Sequence, residues 1–375
     1  SSWVVTHVDG YANDQTTGAI EGDIGKYCSI AFDSNNMPRI SYYDVTNGNL
    51  RFAALGANGW MIEIVDNNYL YGGTDTSLVM SSNNIPHISY YGENESGLAF
   101  LFYANKSDGN WNVYNLNIAG NSQTAGSPVG TQTSIAIHNG NNLPAISYYD
   151  AVNSDLKVAI RSTNGWFFET VDSDGLVGSF SSISLGNQGF PHISYYDETN
   201  GALKYATFDG LGNWVNNTLD DEGDTGLYTS LAFNDDGFVS ISYFDSSNGS
   251  LKYIVLEPTQ WDKYTIDDVG RIGEYNALAI DSAGEIYVAY YDNTNAVLKL
   301  ACNTCNFTDS GGSSGGSDGD NDGIVDSMDD CPDGDSGWTS NPLTTDYDQD
   351  GCRDATEDDD DDNDGIDDGD DSCYQ

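Results

Sequence analysis

The amino-acid sequence of 375 residues predicts an all-β fold, a six-bladed β-propeller, followed by an irregular acidic tail. Three observations lead to this fold class. A segment of the type Ile-Ser-Tyr-Tyr-Asp recurs six times, each copy lies within a unit of four strand-like runs, and acidic residues accumulate at the C-terminal end. We therefore expect a ring of similar sheets and a separate C-terminal region.

The repeated segment sets the number of blades. Its copies begin at Ile40, Ile88, Ile146, Ile193, Ile241 and Val288. The intervals between them are 48, 58, 47, 48 and 47 residues, and the long interval accommodates an insertion around Gly120 to Gln132. Units of about 40 to 50 residues that hold four short strands are typical of propeller blades.

Each unit contains four predicted strands. A short apolar strand such as 182–185 comes first, the Tyr-Tyr strand second, and a strand such as 202–206 third. The fourth strand begins at a tryptophan, which is Trp60, Trp111, Trp166, Trp214 or Trp261. The runs are rich in β-branched and aromatic residues and lack a helical period. We expect the tryptophans to pack between blades, and the Asp after each Tyr-Tyr pair to be a turn residue.

The last unit lacks a tryptophan strand of its own. The N-terminal segment Trp3–Asp9 has the form of Trp166–Asp172, so we expect it to complete the sixth blade. Such closure would cover two sheet edges that otherwise invite pairing with other chains. The predicted domains are the propeller (1–308), a Gly/Ser linker (309–317) and the acidic tail (318–375).

No catalytic site is evident in the repeats, and we do not expect an enzyme. Of four histidines, His87 and His192 occupy equivalent repeat positions, which favours a structural role. No nucleophile elbow or phosphate loop is present. The acidic loops 220–224 and 267–270 are either a cation-binding rim or solvated turns, and loop carboxylates from different blades could still form a pair.

The charge excludes several partners and points to divalent cations. The chain has 59 acidic and 12 basic residues, so a nucleic-acid backbone or an anionic membrane would repel it. From Asp309 to Gln375 there are 24 acidic residues and a single basic one, Arg353. Such a segment cannot form an apolar core and is either disordered or held together by metal.

The tail contains three copies of the spacing Asp-x-Asp-x-Asp-Gly-x-x-Asp-x-x-Asp/Glu. Calcium prefers about six to eight oxygen ligands, and the glycine permits the sharp turn that brings the first three carboxylates together. Side chains at positions 1, 3, 5, 9 and 12 and the carbonyl at position 7 are the predicted ligands of about three Ca²⁺ ions. These residues are Asp318, Asp320, Asp322, Ile324, Asp326 and Asp329; Asp346, Asp348, Asp350, Cys352, Asp354 and Glu357; and Asp360, Asp362, Asp364, Ile366, Asp368 and Asp371.

Because of these motifs, residues 318–373 resemble thrombospondin type 3 repeats, a family in which calcium ions form the core of the domain. The segment ending in Asp-Cys331-Pro and the segment Asp346 to Cys352 carry the resemblance. The resemblance implies a disulfide between Cys331 and Cys352. Cys373 stands in its own repeat where Cys331 stands in the first, but the next repeat, which would supply its partner, is absent. The propeller part is similar to uncharacterised secreted prokaryotic proteins with Ile-Ser-Tyr-Tyr-Asp repeats.

Three further cysteines lie in the propeller part. We expect Cys302 and Cys305 to bridge each other and Cys28, in a core strand, to be a free buried thiol. The even number of six cysteines favours an oxidising, extracellular location.

The leading functional hypothesis is a secreted, calcium-binding structural or adhesive protein of the cell surface or matrix. Tail-to-propeller contacts between copies would propagate into a fibre or surface layer, because such heterologous contacts need not close. The alternative is a lectin-like module that binds glycans in grooves lined by Tyr and Trp. A propeller glycosidase or lyase is a third hypothesis, which requires two close carboxylates in a deep pocket.

Overall fold

The computed structural model describes residues 8–9, 22–57, 59–68, 70–93, 99–116, 129–138, 140–209, 212–234, 237–257, 260–281 and 284–303. All of them fall within one compact unit, Thr6–Cys305. These residues form β-strands and turns, and no helix occurs among them. Accordingly, no helix of the described ranges has the length and apolar character needed to cross a bilayer. The described part of the protein is therefore all-β, as predicted, and its repeats form a six-bladed propeller.

The described strands fall into six sheets, one for each repeat. The strands of the first three blades are β1 (Ile24–Phe32), β2 (Pro38–Asp44), β3 (Asn49–Gly56) and β4 (Gly59–Asp66); β5 (Leu70–Met80), β6 (Pro86–Glu93), β7 (Ala99–Ser107) and β8 (Asn110–Asn115); and β9 (Val129–Ile137), β10 (Pro144–Asp150), β11 (Asp155–Ser162) and β12 (Gly165–Asp172). Those of the last three are β13 (Val177–Leu185), β14 (Pro191–Asp197), β15 (Ala202–Phe208) and β16 (Trp214–Asp220); β17 (Thr225–Phe233), β18 (Val239–Asp245), β19 (Ser250–Glu257) and β20 (Gln260–Asp267); and β21 (Ile272–Ile280), β22 (Ile286–Asp292) and β23 (Val297–Cys302).

Each sheet is an antiparallel meander whose strands pair in chain order. The first strands of successive blades contact one another from β1 through β5, β9, β13 and β17 to β21. These inner strands therefore surround the axis of the propeller, and the fourth strands lie at its outside.

The inner strands are longer than the sequence predicted. The segment expected at 182–185 is the second half of the nine-residue strand β13. Its pairing with β14 is irregular between Val177 and Ser179 and again between Ser179 and Ser182. These bulges break the alternation of apolar and polar side chains. The hydrophobic pattern of the sequence therefore does not reveal the first half of the strand.

The core lies between neighbouring blades and within each sheet. The first tyrosine of the Tyr-Tyr pair is wholly buried in the second to fifth blades, at Tyr90, Tyr148, Tyr195 and Tyr243. As predicted, the tryptophans of the second to fifth blades pack between blades. Trp166 meets Tyr103 of the preceding blade edge to face with ring centroids 5.0 Å apart, and Trp261 meets Tyr205 at 5.1 Å.

A glycine in each inner strand lets adjacent blades approach closely. Gly226 has a φ of +100°, and a Cβ atom there would lie 2.6 Å from the backbone of Leu203 in the preceding blade. The equivalent residues Gly130 and Gly178 would clash in the same way with Leu101 and Leu156. Glycine is therefore required both by the backbone conformation and by blade packing.

The surface between the first and the sixth blade differs from the other five interfaces. Gly25, the equivalent of Gly226, has no atom of the described residues within 4 Å of the position that a Cβ would occupy. On the other side, Leu298 is 81% exposed. The sixth sheet has three described strands, and the N-terminal strand predicted to complete it lies, apart from residues 8 and 9, outside the described residues.

The structure describes two of the three cysteines of the propeller part, Cys28 and Cys302. Cys28 is free, as expected, but it is exposed and not buried. The prediction of burial was wrong because β1 belongs to the first blade, whose flank is uncovered. Cys302 forms a disulfide, while Cys305, its expected partner, lies outside the described part of the chain.

Candidate functional site

The calcium ligands predicted in the tail cannot be examined in the structure, because residues 304–375 lie outside the described ranges. The same holds for the predicted Cys331–Cys352 disulfide. Within the described ranges, no group of three or more His, Cys, Asp or Glu side chains could hold a metal ion. Calcium binding by the tail therefore stays a prediction from the sequence.

His87 and His192 serve equivalent structural contacts. The Nδ1 atom of His87 lies 2.6 Å from the hydroxyl of Tyr103, and that of His192 is hydrogen-bonded to the hydroxyl of Tyr205. Each pair joins the second and third strands of one blade. Burial lowers the pKa of both histidines to about 4, so both are neutral at physiological pH.

In the five blades that have it, the Asp after the paired aromatic residues acts as a turn residue, as predicted, but it also forms a buried ion pair. Asp197 accepts hydrogen bonds from the backbone and side chain of Asn200. In the next blade, Asp245 lies 2.6 Å from the ammonium group of Lys252. Sequence reasoning missed the lysine, although Leu-Lys recurs in the third strands.

In the acidic loop 220–224, residues 221–223 are exposed, as expected of a solvated turn, but the aspartate that begins the loop is not. Asp220 is buried and accepts hydrogen bonds from Tyr243 and Lys263 at 2.8 Å each. Burial would raise the pKa of Asp220, but these hydrogen bonds outweigh it and hold the pKa below its ordinary value. In the loop 267–270, Asp267 likewise accepts a hydrogen bond from Tyr290 of the following blade. Both aspartates therefore fasten neighbouring blades together.

A different set of residues stands out on the inner strands. One non-glycine residue in each of the six has a φ between 51° and 55°, in the left-handed region. These residues are Tyr27, Asp75, Gln132, Phe180, Tyr228 and Tyr275. Such residues are uncommon, and the conformation costs of order 1 kcal/mol for a side chain that lacks local hydrogen bonding. Six equivalent cases, four of them aromatic, therefore call for a structural or functional reason.

Part of the reason is structural. The backbone carbonyl of Asp75 accepts a hydrogen bond from the Thr133 hydroxyl of the next blade at 3.0 Å. The carbonyl of Phe180 likewise accepts one from Thr229 at 2.8 Å. The left-handed turn therefore directs a carbonyl group toward the neighbouring blade, but this does not explain the choice of aromatic side chains.

Three of these aromatic rings form a contiguous cluster, which we call the inner-strand cluster and which consists of Phe180, Tyr228 and Tyr275. The ring centroids of Phe180 and Tyr228 are 4.6 Å apart, and those of Tyr228 and Tyr275 are 4.5 Å apart. Tyr275 is 69% exposed, whereas the other two rings are half-buried. The cluster thus presents an aromatic surface to solvent on three neighbouring inner strands.

Polar groups flank the inner-strand cluster on both sides. The guanidinium group of Arg271 pairs with the buried carboxylate of Glu274 at 2.7 Å. Burial and a hydrogen bond with Tyr275 raise the pKa of Tyr228 to about 12. On the other side, the side-chain carbonyl of Gln132 accepts the backbone N–H of Phe180 at 2.6 Å.

Asp75 lies beyond Gln132 in the same series. Its carboxylate accepts the backbone N–H of Gln132 at 3.2 Å, and burial raises its pKa. Aromatic faces bordered by a few fixed polar groups are typical of sites for small polar ligands that carry apolar faces.

The sequence could have revealed this site. The left-handed residue always stands two positions before the Ser or Ala that pairs with the Tyr-Tyr strand, as in 179–183 and 227–231. Alignment of the Tyr-Tyr segments alone did not show it, because the inner strands were predicted too short.

Apart from the inner-strand cluster, the described residues form an apolar groove of about 450 Å³ between the fifth and sixth blades. Phe238, Tyr253 and Tyr264 line it from the fifth blade, and Ile280 and Ile286 from the sixth. No charged side chain is among the described residues that line it.

No protein-family model matches the sequence, and no curated protein matches it. Solved structures do resemble the fold. A protein of unknown function from Dyadobacter fermentans has 13% sequence identity and a TM-score of 0.54, and the match covers 74% of this chain and 93% of that one. An Aleuria aurantia lectin variant in complex with Fucα1-6GlcNAc has 14% identity and a TM-score of 0.51 over 75% and 92% of the two chains.

A Hadza microbial sialidase is similar to the same extent, with 12% identity and a TM-score of 0.51 over 75% of this chain and 66% of that one. At these identities the likenesses establish the propeller fold alone.

Proposed function

We propose that this protein is a secreted carbohydrate-binding propeller whose inner-strand cluster stacks on sugar rings. The observation that carries the proposal is the contiguous set of aromatic rings, held by strained backbone and exposed at Tyr275. Strain that recurs at one position is a reason to expect function there. The apolar face of a pyranose fits an aromatic ring, and the flanking polar groups can bind its hydroxyls.

The charge narrows the class of sugar. With a formal net charge of −47, the chain repels acidic glycans at long range. Neutral and amino sugars are therefore the proposed ligands. The Aleuria aurantia lectin, described in complex with a fucosylated sugar, provides a precedent for this ligand class on the same architecture.

Glycan-array screening of the full chain, followed by calorimetry on the best neutral or amino sugar, tests the proposal. Tyr275→Ala should weaken binding roughly two- to tenfold, because it removes a stacking contact worth about 0.5–1.5 kcal/mol. Tyr114→Ala, which removes a 45% exposed tyrosine from the outer strand β8, is the matched control and should bind normally. An array without binding to any sugar class contradicts the proposal.

A second proposed function, calcium binding by the tail, is favoured by the three Asp-x-Asp-x-Asp-Gly spacings. Each places hard oxygen ligands and a turn-forming glycine as calcium requires. Filled sites would cancel much of the tail's self-repulsion and stiffen it for contacts with neighbouring copies. This function is compatible with sugar binding by the propeller, and the combination suits an adhesive protein.

Calorimetric titration of the full chain should show about three bound Ca²⁺ ions. Asp346→Asn combined with Asp348→Asn should abolish about one of them, because it removes two carboxylates from one motif. Asp333→Asn combined with Asp335→Asn changes the charge equally outside the motifs and should leave the number unchanged. Electron microscopy of the same samples with and without a chelator tests assembly. Unaltered polymers in the chelator, or a tail that binds no calcium, would refute this role.

A further inference from the structure

A small pocket between the third and fourth blades has no acidic side chain among the described residues that line it. Its volume is about 130 Å³. Arg161, His138 and Asn141 line it from the third blade, and Gln188 and Gly189 from the fourth. The whole chain has 59 acidic and 12 basic residues, so a pocket that contains an arginine and lacks a carboxylate is unexpected. This local composition favours an anionic ligand.

Arg161 lacks the acidic partner that its equivalent in the second blade has. Lys106 and Arg161 each face the tryptophan of their own blade across two strands, and each cation lies over that ring. Lys106 also pairs with Glu63 of the preceding blade at 2.5 Å. In the blade that precedes Arg161, the residue corresponding to Glu63 is Tyr114. Arg161 therefore meets a tyrosine where Lys106 meets a carboxylate.

His138 and Asn141 supply further donors. The Nδ1 atom of His138 accepts the backbone N–H of Gly140 at 3.2 Å, so the neutral imidazole carries its proton on Nε2. A Cβ atom at Gly189 would lie 3.1 Å from this Nε2 atom, which places it at the boundary between the two blades. The side-chain oxygen of Asn141 accepts the N–H of Leu143 at 3.0 Å, which leaves its amide group to donate.

We propose that this pocket binds the carboxylate group of a small organic acid, with Arg161 as its counter-charge and His138 and Asn141 as additional donors. A guanidinium group presents two parallel N–H groups that match the two oxygens of a carboxylate. A singly charged acid suits the protein better than a phosphate dianion, because the net charge of −47 opposes each added negative charge.

The size of the pocket limits the acid. Sites for drug-sized ligands usually have about 300–1,000 Å³, and this pocket has about 130 Å³. An acid the size of acetate or lactate therefore fits, whereas a pyranose ring does not. The site is separate from the inner-strand cluster, and its ligand is independent of the proposed sugar binding.

Acetate is the probe for this site, and acetamide, which has the same shape without the charge, is the control ligand. Saturation-transfer NMR on the full chain at constant ionic strength should give acetate a Kd on the order of 1–10 mM, and acetamide should bind at least about tenfold more weakly. Equal binding of both ligands, or no binding of acetate up to about 50 mM, would overturn the proposal. Displacement of acetate by a tenfold lower concentration of phosphate would overturn the assignment to a carboxylate.

Two variants that each remove one positive charge locate the bound acetate. Arg161→Gln should weaken acetate binding about tenfold or more, because it removes the charged donor. Lys26→Gln, at an exposed lysine that pairs with Asp23, is the matched control and should bind acetate normally. An equal loss in both variants would indicate a long-range effect of charge, and an unchanged affinity in both would place the acetate elsewhere.

Gln188→Glu tests the pocket without removing the arginine. Because Gln188 is exposed, the substitution should leave folding intact. The new carboxylate should pair with Arg161 and weaken acetate binding about tenfold or more. Gln260→Glu adds the same charge at an exposed position of strand β20 and should leave the affinity unchanged.

Thermal midpoints without acetate show whether each variant is folded. A folded Gln188→Glu variant that binds acetate as the wild type does would refute the site, even if Arg161→Gln proved too unstable to titrate. In that case Arg161 would serve only to pack on the ring of Trp166.

Discussion

His87 and His192 are buried neutral groups, and each is hydrogen-bonded through Nδ1 to a tyrosine hydroxyl. Burial disfavours the imidazolium form, which lowers the pKa of both to about 4 from an ordinary value of 6.5. The unfolded chain therefore binds more protons than the folded one between these two values. Folding stability should fall as the pH is lowered from 6.5 toward 4.

This linkage can be measured by urea unfolding at several pH values. Each histidine should contribute a loss of up to about 3 kcal/mol on full acidification across this range. The double variant His87→Gln, His192→Gln should show a flatter dependence of stability on pH than the wild type. Parallel curves for the wild type and the double variant would contradict the assignment. Asp172 and Asp220, whose pKa values are lowered, contribute losses only below their ordinary pKa of 3.8.

The inner strand is the element that determines how closely two blades can approach. Gly178 and Gly226 have positive φ angles, and a Cβ atom at either would lie within 2.7 Å of leucine backbone in the preceding blade. Backbone cannot move aside as the end of a flexible side chain can, so substitution must separate the sheets or distort the bulge. The loss in the free energy of unfolding should therefore exceed the loss that an unfavourable φ alone would cause.

A comparison of two alanine variants separates the clash from the φ penalty. Gly226→Ala should reduce the free energy of unfolding by about 2 kcal/mol or more. Gly212→Ala, at a φ of +106° with no atom within 4 Å, should cost only about 1 kcal/mol. Denaturant unfolding of both variants measures the difference. Equal losses would show that blade packing tolerates the added methyl group.

In the second blade, aromatic packing replaces the buried ion pair that the other blades have at this position. Elsewhere the Asp after the Tyr-Tyr pair is matched by Lys or Arg on the third strand, as in Asp245 with Lys252. In the second blade both partners change together, to Gly92 and Phe102, and Phe102 stacks on Tyr90 with centroids 5.2 Å apart. Loss of only one member would leave a buried charge unpaired, which explains why the two changes occur together.

At the scale of the whole molecule, nearly all of the described basic residues form ion pairs with acidic residues of the same chain. Every described lysine and arginine except Arg161 forms an ion pair with Asp or Glu, and Arg161 lies over the ring of Trp166. The propeller therefore offers little positive surface to an anionic partner. This arrangement agrees with the proposed preference for neutral or amino sugars.

The sequence by itself determined the number of blades, the four-strand unit and the packing role of the tryptophans. Each follows from local alternation repeated at a fixed period, which needs no knowledge of what the unit packs against. The spacing of acidic residues in the tail is equally local, and the predicted calcium sites therefore rest on the sequence alone.

Only the tertiary structure decided which residues from different blades meet. The inner-strand cluster joins rings about 48 residues apart in sequence, and the groove is lined by two separate sheets. The exposure of Cys28 likewise depends on what packs against its strand and not on the pattern of the strand itself. Contacts between repeats depend on the curvature of the ring, because twist and bulges set how each sheet faces the next, and no single repeat encodes that geometry.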